Sequence, residues 1–400
     1  MRFLHSADWH LGRVHHGVSL LEDQAHILGE FVRLAADVRP DAILLAGDIY
    51  DRSVPPAEAV RLLDLVLTEL VRGLRIPVVM IAGNHDGPDR LAFGAGLLGG
   101  AGLTVRGPFE PQPRPLVLHD AHGVVAIHAL PYAEPAVVRS AVAGQQGEDG
   151  ADAARAIDSH QAVLAVQLQA ARAAQPQGAR SVVVAHAFVL GGSESESERP
   201  LSVGASGAVD AALFDGFDYV ALGHLHRPQQ VGQARVQQGG RRGAIHYSGS
   251  LLKYSFSEAD HVKSVNLVEL DAAGACTVER IALTPRRDLR IVEGPLDAIL
   301  AAGAADPARD DYILARLTDS GALLDAMGRL RSIHPNALAI ERPQLLGDGP
   351  GRAAADHRRV RMQDLFASFH RDTTGQPLDE AGTAVLERIA ERLEREARHA

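Results

Sequence analysis

The chain holds a single cysteine, Cys276, among 400 residues. No intramolecular disulfide can form, and neither a zinc ribbon nor a redox dithiol can be assembled. Any metal site must therefore draw on His, Asp, Glu and Asn. Aromatic residues are scarce at 4%, a compositional bias that carries no functional reading. No stretch reaches the roughly 20 apolar residues that a bilayer span needs. The N-terminus, MRFLHSADWHLG, lacks the apolar run of a signal peptide. The expectation is a soluble, cytoplasmic protein with no membrane contact. A basic excess is also missing, since the formal net charge is −10. Proteins that hold DNA unaided usually carry a basic footprint. The acidic balance fits a site that carries bound cations, or a partner that supplies DNA contacts.

Enough is present to build a sizeable core. Apolar residues make up 46% of the chain and charged residues 22%, which suits one large domain with one or two smaller ones. Over the first 290 residues, short apolar runs alternate with amphipathic stretches. Strands are expected at Arg2–Ala7, Asp41–Ala46, Pro77–Ala82, Val124–Ala129, Ser181–Ala185, Tyr219–Leu222 and Val262–Leu270. Helices are expected at Glu22–Ala36, Ala57–Arg72 and the Ala/Gln-rich stretch Ala151–Ala174. This rhythm predicts an α/β fold, with two sheets packed as a sandwich and flanked by helices. The Ser/Glu-rich segment Gly191–Leu201 reads as a mobile loop, and Gly107–Pro115 as a Pro-rich one.

After Pro285 the pattern restarts. A strand at Asp311–Leu317, a helix at Ala322–Ile333 and a strand at Ala337–Glu341 predict a small α+β unit. A Gly-rich linker follows, and then two helical stretches, Arg361–His370 and Leu378–Arg398. In the second, Val385, Leu386, Ile389, Ala390 and Leu393 form one apolar stripe. The expected boundaries are 1–285, 286–343, a linker at 344–358, and helices over 359–400.

Five short motifs carry the chemistry, each at the end of an expected strand. Asp8-Trp9-His10 places Asp8 and His10 on one side of an extended chain. Gly47-Asp48 and Gly83-Asn84-His85-Asp86 each follow an apolar run, His186 ends SVVVA, and Gly223-His224-Leu225-His226 follows DYVAL. Singly, each has a bland reading: a chance pair, an ordinary turn, a structural histidine or a polar loop. Together they bring metal-type residues to five strand ends, which converge at one edge of an α/β fold. Asp8, His10, Asp48, Asn84, His186, His224 and His226 are too many ligands for one ion and suit two. The all-N/O set suits Mn, Fe, Co or Zn. Asp48 is the natural bridging carboxylate, and His85 the natural group to stabilise or protonate a departing oxygen. Arg13, His15, His16, Arg52 and Arg90 lie beside the motifs as candidate phosphate contacts, with solvated surface charge as the bland reading. Trp9, between two ligands, is expected to pack beneath the site.

In this order and spacing, DWH, GDIYD, GNHD, VVVAH and GHLH resemble the calcineurin-like metallophosphoesterases. The longer strings HSADWHLGR, AGDIYDRSVPP, DYVALGHLHRPQ and HYSGSLLKYSFSE resemble the SbcD family of Mre-type nucleases. The resemblance implies two manganese ions. Asp8, His10, Asp48 and His226 would hold one, Asp48, Asn84, His186 and His224 the other, and His85 would be the catalytic histidine. It implies a DNA nuclease acting in repair, recombination and replication. The activities would be ATP-dependent double-strand 3′–5′ exonuclease and single-strand endonuclease, in complex with an SbcC-type ATPase. It also implies a homodimer, a capping domain at 286–343 that contacts DNA, and C-terminal helices that grip the ATPase. Archaeal and eukaryotic relatives carry a histidine shortly after the Gly-Asp motif, where this chain has Asp51. The alternative is a small-molecule phosphodiesterase or phosphatase of the same superfamily, which leaves the residues after Pro285 without a role. A third reading, a scaffold with a dead site, is disfavoured by the intact ligand set.

Overall fold

The computed structural model describes residues 1–144, 154–201, 207–235 and 242–343, together with Asp379, Gly382, Thr383 and Val385. The chain divides into two units, Met1–Arg342 and Pro343–Ala400. The linker expected at 344–358 and the helix expected at Arg361–His370 fall outside the described residues. So does the stretch Leu378–Arg398, apart from those four positions.

In chain order the first main strands are β1 (Arg2–Ser6), β2 (Ala42–Leu45), β3 (Val78–Ile81), β4 (Leu103–Arg106) and β5 (Leu116–Asp120). Next come β6 (Gly123–Leu130), β7 (Arg180–His186), β8 (Tyr219–Gly223), β9 (Gln229–Arg235) and β10 (Arg242–Tyr247). The last are β11 (Ser264–Leu270), β12 (Cys276–Ala282), β13 (Leu289–Gly294), β14 (Tyr312–Leu317) and β15 (Ala337–Glu341). The main helices are α1 (Leu21–Val38), α2 (Ala57–Thr68), α3 (Pro135–Ala143), α4 (His160–Ala173), α5 (Leu296–Gly303) and α6 (Ala326–Ile333).

The strands form two six-stranded mixed sheets, ordered β12-β11-β1-β2-β3-β4 and β9-β10-β8-β7-β6-β5. Within the first, β1 to β4 run parallel and the β11–β12 hairpin joins β1 antiparallel. Within the second, β6, β7, β8 and β10 run parallel between antiparallel edges. Composition explains the placing. The central strands AILL, VVMI and RSVVVAH are buried along their whole length, as strands covered on both faces must be. The edge strands β5 and β12 alternate between half-buried and exposed positions.

Alternation along each strand then sets the layers. Leu44, Val79, Ile81, Val182, Val184 and Ala221 point into the space between the sheets. Ile43, Leu45, Val78 and Met80 point the other way and pack on Ile27, Phe31, Leu63 and Val66 of α1 and α2. Val183, Val220 and Ile245 likewise pack on Leu164 and Leu168 of α4. The result is the two-sheet sandwich flanked by helices that the sequence predicts.

The Ala/Gln-rich helix starts at His160, because the Ser159 hydroxyl caps it by accepting from Ala162 N. The expected start at Ala151 lies among residues not described. Beyond residue 285 the small unit is larger than expected. An extra strand and helix, β13 and α5, precede the anticipated strand, helix and strand. The three strands run parallel around a core of Leu296, Ile299, Ile313, Leu317 and Leu330. No helix among the described residues is long and apolar enough to cross a membrane.

Candidate metal centre

Every motif lies where a parallel strand ends. Asp8 and His10 follow β1, Asp48 follows β2, and Asn84 and His85 follow β3. His186 closes β7, and His224 and His226 follow β8. The loops are held close by glycines. A Cβ on Gly83 would lie 2.1 Å from Asp48 Oδ1, and one on Gly223 would lie 2.0 Å from the Ala46 carbonyl oxygen. Both serve close approach, since neither has a positive φ. Four of the candidate ligands themselves adopt positive φ: Asp8 (54°), His10 (46°), Asp48 (49°) and His224 (108°). Non-glycine residues rarely adopt this region and persist there when their surroundings hold them. The restraints are visible. Asp8 N donates to Gly47 O and His10 N to Asp48 O. Asp8 Oδ1 accepts from His224 N at 2.9 Å. Asp86, buried, accepts from Ile49 N, Tyr50 N and Gly83 N and so ties the second and third loops together.

The seven residues converge. His10 Nε2 lies 3.0 Å from His226 Nε2 and 3.6 Å from Asp48 Oδ2. His186 Nε2 lies 2.9 Å from Asn84 Oδ1 and 3.5 Å from the same Asp48 oxygen. Asp48 thus stands between two groups of donors, as a shared ligand would. The His224 ring packs edge-on against His186, with centroids 5.4 Å apart. Asp8, His10 and His226, and likewise Asp8, Asp48 and His186, bring ligand atoms within 4.8 Å of one another.

These residues fit metal ions on three counts. Asp8 Oδ2 is buried without a hydrogen-bond partner, a costly state for a carboxylate oxygen. Burial, and then the Asp48 charge, push the Asp8 carboxyl well above its usual range; a cation relieves both effects. Burial also holds His10, His186 and His224 below the usual imidazole range, which leaves them neutral with lone pairs to offer. Finally, His186 Nδ1 faces the Ala46 carbonyl at 2.9 Å, so its proton sits there. Its Nε2 then meets Asn84 Oδ1 as acceptor against acceptor, an arrangement a shared cation satisfies.

His85 adjoins the seven, its ring edge-on to that of His10 with centroids 4.6 Å apart, and it comes within ligand distance of His10 and Asp51. Its Nδ1–H donates to the Asp51 carbonyl at 2.9 Å, and its backbone N donates to Asp48 Oδ1. Its Nε2 lies 3.9 Å from Asp48 Oδ2.

The flanking residues divide. Arg13 is held by Asp51 at 2.9 Å and lies over the Tyr254 ring. His15 packs against His16 and Phe256. Arg52 is exposed, 3.8 Å from Asp51. Arg90 is exposed and lines a separate apolar groove with Val60, Leu63 and Phe93. Trp9 is fully buried against Phe31, as expected.

Gly191–Leu201 is a loop, as its sequence reads, and within it Ser195, Ser197 and Glu198 bond inward. Ser197 is buried and reaches His226 Nδ1 at 2.5 Å. Glu198 accepts from His226 N at 2.8 Å and from Ser195. Sequence reasoning also passed over Glu258 and Lys263, a fully buried pair 2.5 Å apart beside His226. Glu258 ends the string HYSGSLLKYSFSE and Lys263 lies five residues on, but nothing local to either shows that they meet His226.

Residues 1–228, more than half of the chain, match the family described as calcineurin-like phosphoesterase. Residues 285–374 match the SbcD_C family, described as type 5 capsule protein repressor C-terminal domain. Among solved structures, the chain is similar to TT1561 of Thermus thermophilus, at 14% identity and a TM-score of 0.36, covering 70% of this chain and 98% of that one. It is also similar to a dimetal phosphatase from Danio rerio, at 13% identity and a TM-score of 0.41, covering 71% and 98%.

Proposed function

This chain belongs to the calcineurin-like phosphoesterases, and on that premise we propose that it is an SbcD-like nuclease that hydrolyses DNA phosphodiester bonds with two manganese ions. The observation that carries the DNA reading is that the chain with the donor cluster also holds a segment, residues 285–374, similar to the SbcD_C family. A small-molecule phosphatase has no evident use for that segment. A further support is a cleft of about 400 Å³ lined by Arg13, His15, Tyr254 and Phe256 on one side and by Leu314 and Glu341 of the small unit on the other. Ser197, which bonds the candidate ligand His226, lines it too, so the cleft adjoins the metal centre.

In this reading Asp8, His10, Asp48 and His226 hold one ion, and Asp48, Asn84, His186 and His224 the other. Bound ions would polarise the phosphoryl oxygens and ease deprotonation of an attacking water. The chain's own residues supply the rest. Asp48 fixes the spacing of the two halves. His85, oriented by its Nδ1–H bond to the Asp51 carbonyl, presents Nε2 to the oxygen that leaves phosphorus; in the imidazolium form it carries a second proton there, delivers it to that oxygen as the P–O bond breaks, and is left neutral. Because a backbone carbonyl does the orienting, Asp51 serves where relatives carry histidine. The unit at 286–343 caps the DNA path, residues 359–400 bind an SbcC-type ATPase that drives ATP-dependent cutting, and the nuclease pairs as a homodimer.

The test is cleavage of end-labelled duplex DNA with Mn²⁺, with and without the ATPase and ATP, beside a small phosphodiester. Wild type should degrade DNA. His85→Ala should lose about 10²–10⁴-fold in rate while still binding metal. Hydrolysis of the small ester alone, even with ATPase and ATP present, would sink the DNA assignment.

A further inference from the structure

The polar chain behind His226 has a direction that can be worked out from its members. Glu258 is fully buried, and its Oε2 accepts from Lys263 Nζ at 2.5 Å. Lys263 spends its other donors on His226 O at 2.8 Å and Ser250 Oγ at 2.9 Å, so all three of its N–H groups are used. Beside this ammonium, Glu258 is a carboxylate and can only accept. Its other oxygen, Oε1, meets the Ser197 hydroxyl in a short contact, so Ser197 donates there. Having spent its one proton, Ser197 Oγ can only accept from His226 Nδ1, 2.5 Å away. The proton of His226 therefore sits on Nδ1. Its Nε2 lone pair is left facing His10 Nε2, at the centre of the donor cluster.

We infer that Ser197, backed by the buried Glu258–Lys263 pair, is a positioning residue that fixes the tautomer and ring orientation of His226 for metal binding. The inference rests on the two-metal reading above. It gives the Ser/Glu-rich segment a purpose: Ser195 and Glu198 hold Ser197 in place through contacts of 2.7–3.3 Å to one another, to Glu258 and to His226 N. Carboxylates commonly orient metal-binding histidines in this way, and losing such a partner typically costs about 10–100-fold in metal affinity. Here a serine is interposed between the carboxylate and the ring.

Two measurements decide it. In metal-free wild-type protein labelled with ¹⁵N-histidine, NMR should find His226 protonated on Nδ1 alone. Calorimetric titration with Mn²⁺ should find two sites. In Ser197→Ala one of them should weaken about 10–100-fold while the other holds, the His226 tautomer should become mixed, and Ser197→Thr should restore both. An Nε2-protonated His226 in the wild type overturns the inference without any variant, as does Ser197→Ala with unchanged tautomer and affinities. If the wild type binds fewer than two Mn²⁺ ions, the two-metal reading falls, and the NMR result still decides the direction of the hydrogen-bond chain.

Discussion

At Gly83 a single hydrogen decides whether the centre can form. A methyl in its place would press on Asp48 from two sides, 2.1 Å from Oδ1 and 2.3 Å from the backbone N. Asp48 is the residue both donor groups share, so its loop has no direction in which to yield without opening one of them. Gly83→Ala should therefore cut phosphodiester hydrolysis by at least about 10²-fold, the usual effect of a displacement near 1 Å. It should also weaken Mn²⁺ binding in a calorimetric titration, and near-wild-type binding would show that the loop has slack. The same residue shows what was legible at this scale. The strand-glycine-polar pattern marks the right positions, because strand ends and tight loops leave local traces. The backbone strain at Asp8, His10, Asp48 and His224 leaves none, since it is imposed by hydrogen bonds between loops far apart in sequence. The roles of Glu258, Lys263 and Ser197 were hidden for the same reason: Ser197 and Glu258 lie in segments that stand out in the sequence, but the three meet His226 only in the fold.

Among the elements, α1 joins the metal loops to the small unit. In its first turn Gln24 donates to Trp9 O and His10 O and accepts from Gly12 N, which holds the Asp8–Gly12 turn in shape. The preceding residue, Asp23, is buried and faces the other way. It accepts from Tyr312 Oη at 2.8 Å and pairs with Arg287 at 3.2 Å. Two adjacent residues on one helix thus tie the Asp8–Gly12 turn and strand β14 to a common support. Tyr312→Phe removes one donor from a buried carboxylate, a loss worth about 1.5–3 kcal/mol for a hydrogen bond to a charged group. The urea midpoint of the intact chain should fall accordingly. An unchanged midpoint would mean that Arg287 or water replaces the phenol at no cost. The periodicity of α1 was easy to read, with Ile27, Leu28, Phe31 and Ala35 on one face. Its cross-chain role was not, because an Asp in a first turn ordinarily serves the helix dipole. Elements with mixed patterns escaped as well. The strand LRIVEG and the helix LDAILAAG abut without a turn signal beyond Gly294 and Pro295, and the edge strand at Cys276–Ala282 alternates too weakly to stand out.

At the scale of the Met1–Arg342 unit, the central fact is that two sheets close on each other and carry the candidate metal-binding strand ends to one edge. The apolar alternation that builds this interface was readable strand by strand; the pairing order was not, since β1 lies between β2 and β11, more than 200 residues apart in sequence. Polar groups cross the interface as well, among them Asn266 on β11, which donates to Tyr247 O on β10. His5 on β1 is fully buried, with Nδ1 2.9 Å from Tyr219 Oη and Nε2 3.1 Å from Leu222 O, both on β8. The carbonyl takes the Nε2 proton and the phenol donates to Nδ1, with the Asn266 amide 3.4 Å from the same nitrogen, so the neutral ring is satisfied and a second proton would have to displace these donors. Burial lowers the His5 pKa from 6.5 to about 3, against the pull of the Leu222 carbonyl. On acidification the unfolded chain therefore takes up this proton first. The stabilisation is complete above pH 6.5, is lost progressively as the pH falls toward about 3, and changes no further below that. Between pH 7.5 and 5.5 the loss from this one group should be about 1.4 kcal/mol. Other buried histidines, such as His246 with a pKa near 4, act in the same direction, so the absolute slope does not isolate His5. The comparison with His5→Gln does: the variant should be less stable at pH 7.5, and the gap should narrow by about 1.4 kcal/mol at pH 5.5. Urea unfolding of the metal-free chain at the two pH values measures it. Parallel losses in the two proteins would mean that the sheets admit a charged His5, and that the sandwich is looser at this point than its packing implies.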